Sequence, residues 1–272
     1  MLEVRLGAFR AEAHSAENPR YRSRVLLVHG LWGGAWCWRH YGSFLAHRGW
    51  EVLAVDLRGR PGSAPARVES VTLEEYTRDL EDVLGSDLLA ARDEEDRMAP
   101  VVIGHDLGGL LGLSLARGGR CRAAIALAPP LPGTLREEYR ALLGRARRWL
   151  SRSLPPPAEL PDEPSFDASR LQADSGVVGR ALLRGEMPVA PPDVPALVVA
   201  GDRDLLIEGK ALEARATAMG ADFSKRAAPH WGLEDPEFER QVDQLHRWLV
   251  KRIGSDLLRM TGWEDLDEDE QP

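Results

Sequence analysis

A carboxylate stands at the one place in this sequence that is built to present a nucleophile. The segment Gly104-His105-Asp106-Leu107-Gly108-Gly109 follows a short apolar run and precedes a helical pattern. A tight turn from strand to helix pushes its central residue out at the end of a sheet, and side chains at the flanking glycines would collide with neighbouring backbone. We therefore predict Asp106 as the nucleophile. An ionised carboxylate attacks an electrophilic sp³ carbon without first losing a proton.

A base and an acid follow Asp106 in the chain. His230 lies in a loop before the last amphipathic stretch, and we predict it as the base. Asp204 closes the run Gly201-Asp202-Arg203-Asp204 at the end of a predicted strand, where the orienting acid would stand; Asp202 is the alternative. His29 and His105 belong to loop motifs, and we expect structural roles for both.

A glycine-rich loop after the first predicted parallel strand completes the predicted site. It reads His29-Gly30-Leu31-Trp32-Gly33-Gly34. Such a loop supplies a backbone N–H that stabilises a negative charge developing on oxygen. We predict Leu31 as one donor and Leu107, the residue after the nucleophile, as the other. The alternative is an ordinary glycine-rich turn.

The elements around these residues alternate between apolar runs and amphipathic stretches. This rhythm predicts an α/β protein with a mostly parallel central sheet flanked by helices. The predicted strands are Arg24 to Val28, Glu51 to Val55, Val101 to Ile103, Ala123 to Leu127 and Ala196 to Ala200. The predicted helices are Trp36 to Arg48, a capping-box helix from Thr72 towards Leu89, Leu107 to Arg117 and Phe238 to Val250.

The proline-rich stretch 131–192 interrupts that rhythm. It holds two amphipathic pieces, near Arg136 to Leu150 and Val177 to Arg184, and we predict a small helical lid inserted into a core of residues 1–130 and 193–253. A surface excursion is the alternative. The arginines at its start are expected to form a solvated helix face, or else to draw in an anionic substrate. Residues 254–272 are acidic, and we predict a disordered tail.

The motifs, taken in chain order, resemble those of the α/β-hydrolase superfamily from about Arg24 to Val250. The elbow at Asp106 is similar to that of epoxide hydrolases and haloalkane dehalogenases. Gly30 to Trp38, with Leu57-Arg58-Gly59, is most similar to bacterial esterase- and lysophospholipase-like members, which carry serine at the elbow. The elbow resemblance implies an alkyl ester on Asp106, hydrolysed by water that His230 activates.

The leaving group is where the sequence departs from these relatives. Epoxide hydrolases of this fold use lid tyrosines to protonate the departing oxygen, and the predicted lid offers Tyr139; packing is the other interpretation. Trp32 replaces their usual proline, and we predict it as a substrate contact. An indole N–H for a halide ion could come from several tryptophans, although an aromatic cluster is more often part of a core. These are Trp32, Trp36, Trp38 and Trp149.

We therefore predict a hydrolase with an epoxide favoured over a haloalkane. The alternatives are an ester or lactone hydrolase that uses Asp106 as a general base, and a non-catalytic binding protein of the same fold. The mechanism requires neither a metal nor an organic cofactor. The expected partner is a small-molecule substrate, and the sequence does not specify an oligomeric state.

Composition excludes several other classes. The formal net charge is -8, without a basic nucleic-acid footprint. No apolar run approaches the roughly 18 residues of a membrane span, and the first residues lack the order of a secretory signal. Cys37 and Cys121 adjoin apolar runs, which indicates buried thiols rather than a disulfide framework. We expect a cytoplasmic protein.

Overall fold

The central feature of the protein is an eight-stranded sheet. The computed structural model describes residues 1–89, 98–145, 153–158, 168–187 and 190–257. The sheet has the strand order β1-β2-β4-β3-β5-β6-β9-β10. Its strands are β1 (Leu2–Leu6), β2 (Phe9–His14), β3 (Val25–Val28), β4 (Val52–Val55), β5 (Val101–His105), β6 (Ala123–Leu127), β9 (Ala196–Gly201) and β10 (Asp222–Arg226). A separate antiparallel pair joins β7 (Ser153–Leu154) and β8 (Asp174–Ser175).

Six strands of the sheet, β3 to β6 with β9 and β10, run parallel, whereas β1 and β2 form an antiparallel hairpin on the β4 edge. The predicted mostly parallel α/β architecture is confirmed. Sequence analysis missed the hairpin and β10. In β1 and β10 most residues are exposed or half-buried, so neither strand carries the continuous apolar run that marked the others.

Seven α-helices connect or cover the strands in the described part of the chain. They are α1 (Arg39–His47), α2 (Leu73–Leu84), α3 (Leu107–Arg117), α4 (Glu137–Gly144), α5 (Gly176–Arg184), α6 (Gly209–Ala218) and α7 (Phe238–Leu257). A 3-10 helix, Ala35–Trp38, precedes α1, so the α-helix begins later than predicted. The predicted capping box is confirmed, because Thr72 and Glu75 bond reciprocally to each other's backbone. None of these helices has the length and apolar character needed to cross a membrane.

The core of the sheet positions the functional loops. Every residue of β3, β4, β5, β6 and β9 is buried, because helices cover both faces. The strands β3, β5 and β9 are parallel, so their carboxyl ends lie at one edge of the sheet. The loops after those strands carry Leu31, Asp106 and Asp204 to that edge, where α/β proteins commonly bind ligands.

Between β6 and β9 lie α4, α5 and the β7–β8 pair, where the sequence predicts a lid. The division into core, lid and tail remains our proposal. Arg136 donates to the Ile207 carbonyl at 3.3 Å and its side chain is 41% exposed. The last turn of α7 lies within the predicted tail. Trp149, Arg147, Arg148, Arg152 and residues 258–272 lie outside the described residues.

Candidate active site

The turn between β5 and α3 holds Asp106 in a strained conformation. Its φ of 51° and ψ of -118° lie in a region of backbone conformation that residues other than glycine rarely adopt. Such a conformation typically destabilises the folded state by roughly 1–3 kcal/mol. A Cβ on Gly104 would lie 2.0 Å from the Gly108 carbonyl oxygen, and one on Gly108 would lie 2.1 Å from that of Val28. The glycines on either side of Asp106 are therefore needed for the turn to form at all.

One oxygen of Asp106 occupies the predicted oxyanion hole. The Leu31 amide donates to Oδ2 at 2.8 Å, and the Leu107 amide also hydrogen-bonds to the carboxylate. Gly30 makes room for it, since a Cβ there would lie 2.8 Å from Oδ2. Both amides predicted from the sequence thus converge on Asp106 itself.

The other oxygen of Asp106 faces the two groups that can move protons. The Tyr139 hydroxyl, carried by α4, donates to Oδ1 at 2.5 Å. The Nε2 atom of His230 lies 3.8 Å from the same oxygen and has no hydrogen-bond partner. All three side chains are buried. The carboxylate is therefore divided, with Oδ2 on the Leu31 amide and Oδ1 on ionisable side chains.

His230 is oriented by Asp204. Its Nδ1 lies 2.9 Å from Asp204 Oδ2, while the amides of Leu206 and Ile207 donate to Oδ1 at 2.7 and 2.9 Å. Asp202, the alternative acid, has a side chain that is 52% exposed beside Arg203. The structure brings Asp204, and not Asp202, to the histidine.

Two further histidines form hydrogen bonds with backbone groups, as expected from their loop motifs. His29 Nε2 accepts from the Leu57 amide at 3.1 Å, and burial lowers its pKa to about 4. His105 Nε2 lies 2.8 Å from the His230 carbonyl oxygen, and burial lowers its pKa as well. Arg226, which sequence analysis missed, donates to the same carbonyl at 3.4 Å. Neutral histidines in these positions fix the loops without adding charge to the site.

Electrostatics separate the roles of the two carboxylates. Burial raises the pKa of Asp106, although His230, Tyr139 and the two amides oppose the shift. Burial would raise the pKa of Asp204 too, but His230 and its backbone donors hold that pKa below the usual value. Burial alone would lower the pKa of His230, but Asp204 and Asp106 raise it above the ordinary value. Burial and the neighbouring Asp106 keep the pKa of Tyr139 well above its usual range, so its hydroxyl carries a proton at neutral pH.

The three described tryptophans that the sequence offered as alternatives for holding a halide make other contacts. The Trp32 indole donates to the Leu154 carbonyl at 3.3 Å, with its ring 6.3 Å from Tyr139 and 6.2 Å from Trp231. Trp36 lies under the Arg170 guanidinium, and Trp38 packs against Tyr41. The Trp32 ring therefore lies beside Tyr139 while its N–H donates to the backbone of β7. Within the described ranges, no cluster of three or more His, Cys, Asp or Glu side chains is arranged to hold a metal.

The arrangement as a whole can carry out covalent chemistry in two stages. An ionised Asp106 presents Oδ1, an adjacent hydroxyl can protonate a leaving oxygen, and a histidine–carboxylate pair can activate water. The Leu31 amide on Oδ2 is placed to stabilise negative charge on that oxygen.

The family to which the chain belongs is shown by a comparison with known families. The alpha/beta hydrolase family model matches residues 25–245. The chain therefore belongs to the alpha/beta hydrolase family, as its motifs predicted.

Several of the sequence relatives with curated names are esterases. A probable esterase, PIR7A, from Oryza sativa subsp. indica is 39% identical over 110 residues, which are 39% of each chain. Polyneuridine aldehyde esterase from Rauvolfia serpentina is 36% identical over 104 residues, 38% of this chain and 36% of the relative. The match thus spans about two fifths of these relatives, so their activities reach this chain only as proposals.

Solved structures share the fold at low identity. A soluble variant of monoglyceride lipase from Saccharomyces cerevisiae superposes with a TM-score of 0.70 at 18% identity, covering 92% of this chain and 94% of that one. The epoxide hydrolase VrEH1 from Vigna radiata superposes with a TM-score of 0.63 at 17% identity, covering 92% and 97%. At these identities the likeness shows the common fold alone.

Proposed function

We propose that this protein is a hydrolase in which Asp106 forms a covalent alkyl ester, with an epoxide as the favoured substrate class. The observation that carries the proposal is the division of the Asp106 carboxylate. Oδ2 rests on the Leu31 amide at 2.8 Å, and Oδ1 accepts the Tyr139 hydroxyl at 2.5 Å. One oxygen is held and the other is directed at a proton donor.

In the first step, Oδ1 of Asp106 attacks a ring carbon of the epoxide and the carbon–oxygen bond of the ring breaks. The electron pair of that bond goes to the departing oxygen, which takes the Tyr139 proton. The products are an alkyl ester on Asp106 and a Tyr139 phenolate. The Tyr139 hydroxyl already bonds to the attacking oxygen of Asp106. The proton donor and the nucleophile are therefore close enough to act on the oxygen and a carbon of the same epoxide ring.

In the second step, His230 Nε2 takes a proton from water and the resulting hydroxide adds to the ester carbonyl carbon of Asp106. Negative charge develops on Oδ2, where the Leu31 and Leu107 amides stabilise it. The intermediate then expels the alkoxide, which takes a proton from His230, while the new carboxyl proton returns to Tyr139. The balance is an epoxide and a water converted into a diol.

The leaving group separates the two alkyl-ester chemistries. A halide needs hydrogen-bond donors and no proton, and the Trp32 indole N–H donates instead to Leu154. An alkoxide needs a proton, and the Tyr139 hydroxyl lies on the nucleophilic oxygen. These contacts favour the epoxide over the haloalkane.

The names of the sequence relatives favour a second candidate, an ester or lactone hydrolase that uses Asp106 as a general base. In that reaction the substrate carbonyl oxygen would need the oxyanion amides. The Asp106 carboxylate occupies those amides in this structure. An ester carbonyl would therefore have to displace it, which makes the covalent route the better use of the same groups.

A reducing, cytoplasmic location is part of the proposal. Cys37 and Cys121 are free and buried, and small buried thiols persist where disulfides do not form. Cell fractionation with antibody detection tests this, and recovery of the protein from an oxidising compartment would contradict it.

The decisive test of the proposal traps the covalent intermediate. His230→Gln removes the base of the second step, so incubation with a panel of epoxides should add the mass of one epoxide to the intact protein, on the peptide that contains Asp106. His40→Gln, which changes a histidine whose ring lies 4.8 Å from that of Phe238, is the matched control and should turn over without trapping. If only haloalkanes form the trapped adduct, the substrate class is a haloalkane and not an epoxide. Ester turnover without trapping would favour general-base chemistry, and no reaction with any panel would favour a binding protein.

A further inference from the structure

A second buried carboxylate, Asp174, lies on the lid side of the oxyanion loop. Its Oδ2 accepts the Trp32 amide at 3.0 Å and pairs with the Arg60 guanidinium. Its Oδ1 accepts the Tyr76 hydroxyl at 3.0 Å and the Ser175 amide at 2.8 Å. The side chains of Asp174 and Arg60 are 1% and 2% exposed. A fully buried ion pair is costly to form, so its contacts call for an explanation.

The same ion pair reaches the loop at a second point. Arg60 Nε donates to the Gly33 carbonyl oxygen at 2.6 Å, and its Nη1 donates to the Ala173 carbonyl at 3.2 Å. The Gln172 amide donates to the Trp32 carbonyl at 2.9 Å. Both backbone groups of Trp32 and the carbonyl of Gly33 are therefore held by Arg60 or by the segment Gln172 to Asp174.

Trp32 needs such support because of its backbone conformation. Its φ of 62° is in the left-handed region, which a bulky residue adopts only where surrounding contacts compensate. The peptide held by Asp174 joins Leu31 to Trp32. Holding that peptide restricts the neighbouring Gly30–Leu31 peptide, which carries the Leu31 N–H that meets Asp106 Oδ2.

We propose that Asp174 is a positioning residue, which acts through Arg60 and the Trp32 amide to aim the Leu31 N–H at Oδ2 of Asp106. Asp174 never touches the reacting atoms. Asp174 belongs to β8 of the predicted lid, and its carboxylate accepts the Trp32 amide of the strained loop. It therefore couples the docking of the lid to the assembly of the oxyanion hole. Its kinetic consequence rests on the proposed function, whereas its effect on the Leu31 amide does not.

The charge state of Asp174 fits this role. Burial would raise its pKa, but Arg60 and the amides of Ser175 and Trp32 hold that pKa below the usual value. The carboxylate is therefore ionised at neutral pH and accepts from Trp32, Arg60, Tyr76 and Ser175.

The sequence offers a substrate-independent readout of the Leu31 amide. Labelling with carbonyl-¹³C glycine and ¹⁵N leucine makes only Gly–Leu peptides visible in a carbonyl-edited NMR spectrum. The chain has four such pairs, at Leu31, Leu110, Leu113 and Leu233. Leu110 and Leu113 lie in α3 and report on global stability.

The test compares Asp174→Asn with Asp79→Asn in this spectrum. Asp79 is also buried and pairs with an arginine, Arg58, without bonding to the oxyanion loop, so it is a matched control. In Asp174→Asn we expect hydrogen exchange at Leu31 to be faster by on the order of tenfold, by local opening, with Leu110 and Leu113 unchanged. Unchanged exchange at Leu31, or an equal effect in Asp79→Asn, would overturn the proposal.

A second variant covers the case in which Asp174→Asn fails to fold. Arg60→Gln/Asp174→Asn removes both charges and leaves no unpaired buried ion. It should show the same loss of protection confined to Leu31. Full protection of Leu31 in this folded double variant would also overturn the proposal.

The kinetic readout is a split between the two steps. The oxyanion amides act on the tetrahedral intermediate, so Asp174→Asn should slow hydrolysis of the alkyl-enzyme more than its formation, and the alkyl-enzyme should accumulate. Equal slowing of both steps would contradict a positioning role. If the trapping experiment shows no alkyl-enzyme at all, the proposed function fails, while the Leu31 exchange still decides the role of Asp174.

Discussion

The hydroxyl of Tyr139 lies 2.5 Å from Oδ1 of Asp106, although the two residues are separated by 33 positions and lie on different elements. Asp106 stands at the end of β5, and Tyr139 comes from α4 in the stretch predicted as a lid. The contact places a proton on the side of the carboxylate that the oxyanion amides leave free. An entering substrate would take over this hydrogen bond.

Removing that proton donor should discriminate between substrate classes. Tyr139→Phe keeps the ring and its packing beside Trp32, at 6.3 Å between centroids. General acids are worth about 10²–10⁴ in rate, so alkylation by epoxides should fall by about that factor. Alkylation by haloalkanes, which needs no proton, should persist. Single-turnover mass spectrometry measures both, and unchanged epoxide opening would remove Tyr139 from the mechanism.

The two neighbouring aspartates should differ sharply. Asp204→Asn leaves His230 without its carboxylate, and loss of this orienting group typically lowers turnover by on the order of 10³–10⁴-fold. Asp202→Asn changes a half-exposed side chain beside Arg203 and should turn over within about twofold of the wild type, as surface changes usually do. Steady-state rates of the two variants measure the difference. Comparable losses in both would show that the acid is wrongly assigned.

The rate of alkylation should depend on pH through Asp106. In the proposed mechanism only the ionised carboxylate attacks, and burial raises the pKa of Asp106. Alkylation is therefore fastest above that raised pKa and is lost as the pH falls through it. The midpoint of this loss should lie at a higher pH than the pKa of an ordinary aspartate. Pre-steady-state alkylation of His230→Gln over pH measures this limb without the base. A midpoint at or below the ordinary aspartate value would contradict the burial effect.

The pKa of His230 should depend on the charge of Asp106. The Asp106 carboxylate is one of the causes that raise the pKa of His230. Asp106→Asn removes that charge, so the His230 midpoint followed by NMR should be lower in this variant than in the wild type. An unchanged midpoint would show that the two groups are not coupled.

Filling the space at Gly30 should expel Asp106 from the amides. In Gly30→Ala the new Cβ would lie 2.7 Å from Asp106 Cβ and 2.8 Å from Oδ2. We expect the alkyl-enzyme to form too slowly to detect, with a loss of about 1–3 kcal/mol in the free energy of unfolding from overpacking. Gly144→Ala, where nothing lies within 4 Å of the added atom, is the control. Denaturant unfolding and trapping measure both effects, and normal trapping in Gly30→Ala would contradict the geometry.

Much of the site could be predicted because it depends on local chemistry. The turn at Asp106 needs glycines at fixed positions, the glycine-rich loop at Leu31 precedes it in the chain, and the loop with His230 follows it. Buried parallel strands leave continuous apolar runs, so the sheet from β3 to β9 was recognisable. The choice of Asp204 came from its place in a resembling motif, and geometry then set Asp202 aside.

The remaining parts depend on contacts that no local pattern reveals. Asp174 lies in a proline-rich stretch, and nothing in its neighbours indicates that it meets Trp32 across 142 positions. Arg226 reaches the His230 carbonyl from an outer strand whose residues are mostly half-buried or exposed. Tyr139 was a candidate by residue type alone, since only the packing of α4 decides where its hydroxyl points.

Isotope transfer into Asp106 tests the central claim most directly. A single turnover of an epoxide in heavy-oxygen water, with enzyme in excess, should leave one heavy oxygen in the peptide that contains Asp106. The diol should carry only light oxygen, because its new oxygen comes from the carboxylate. Heavy oxygen in the diol and none in that peptide would contradict the covalent role of Asp106.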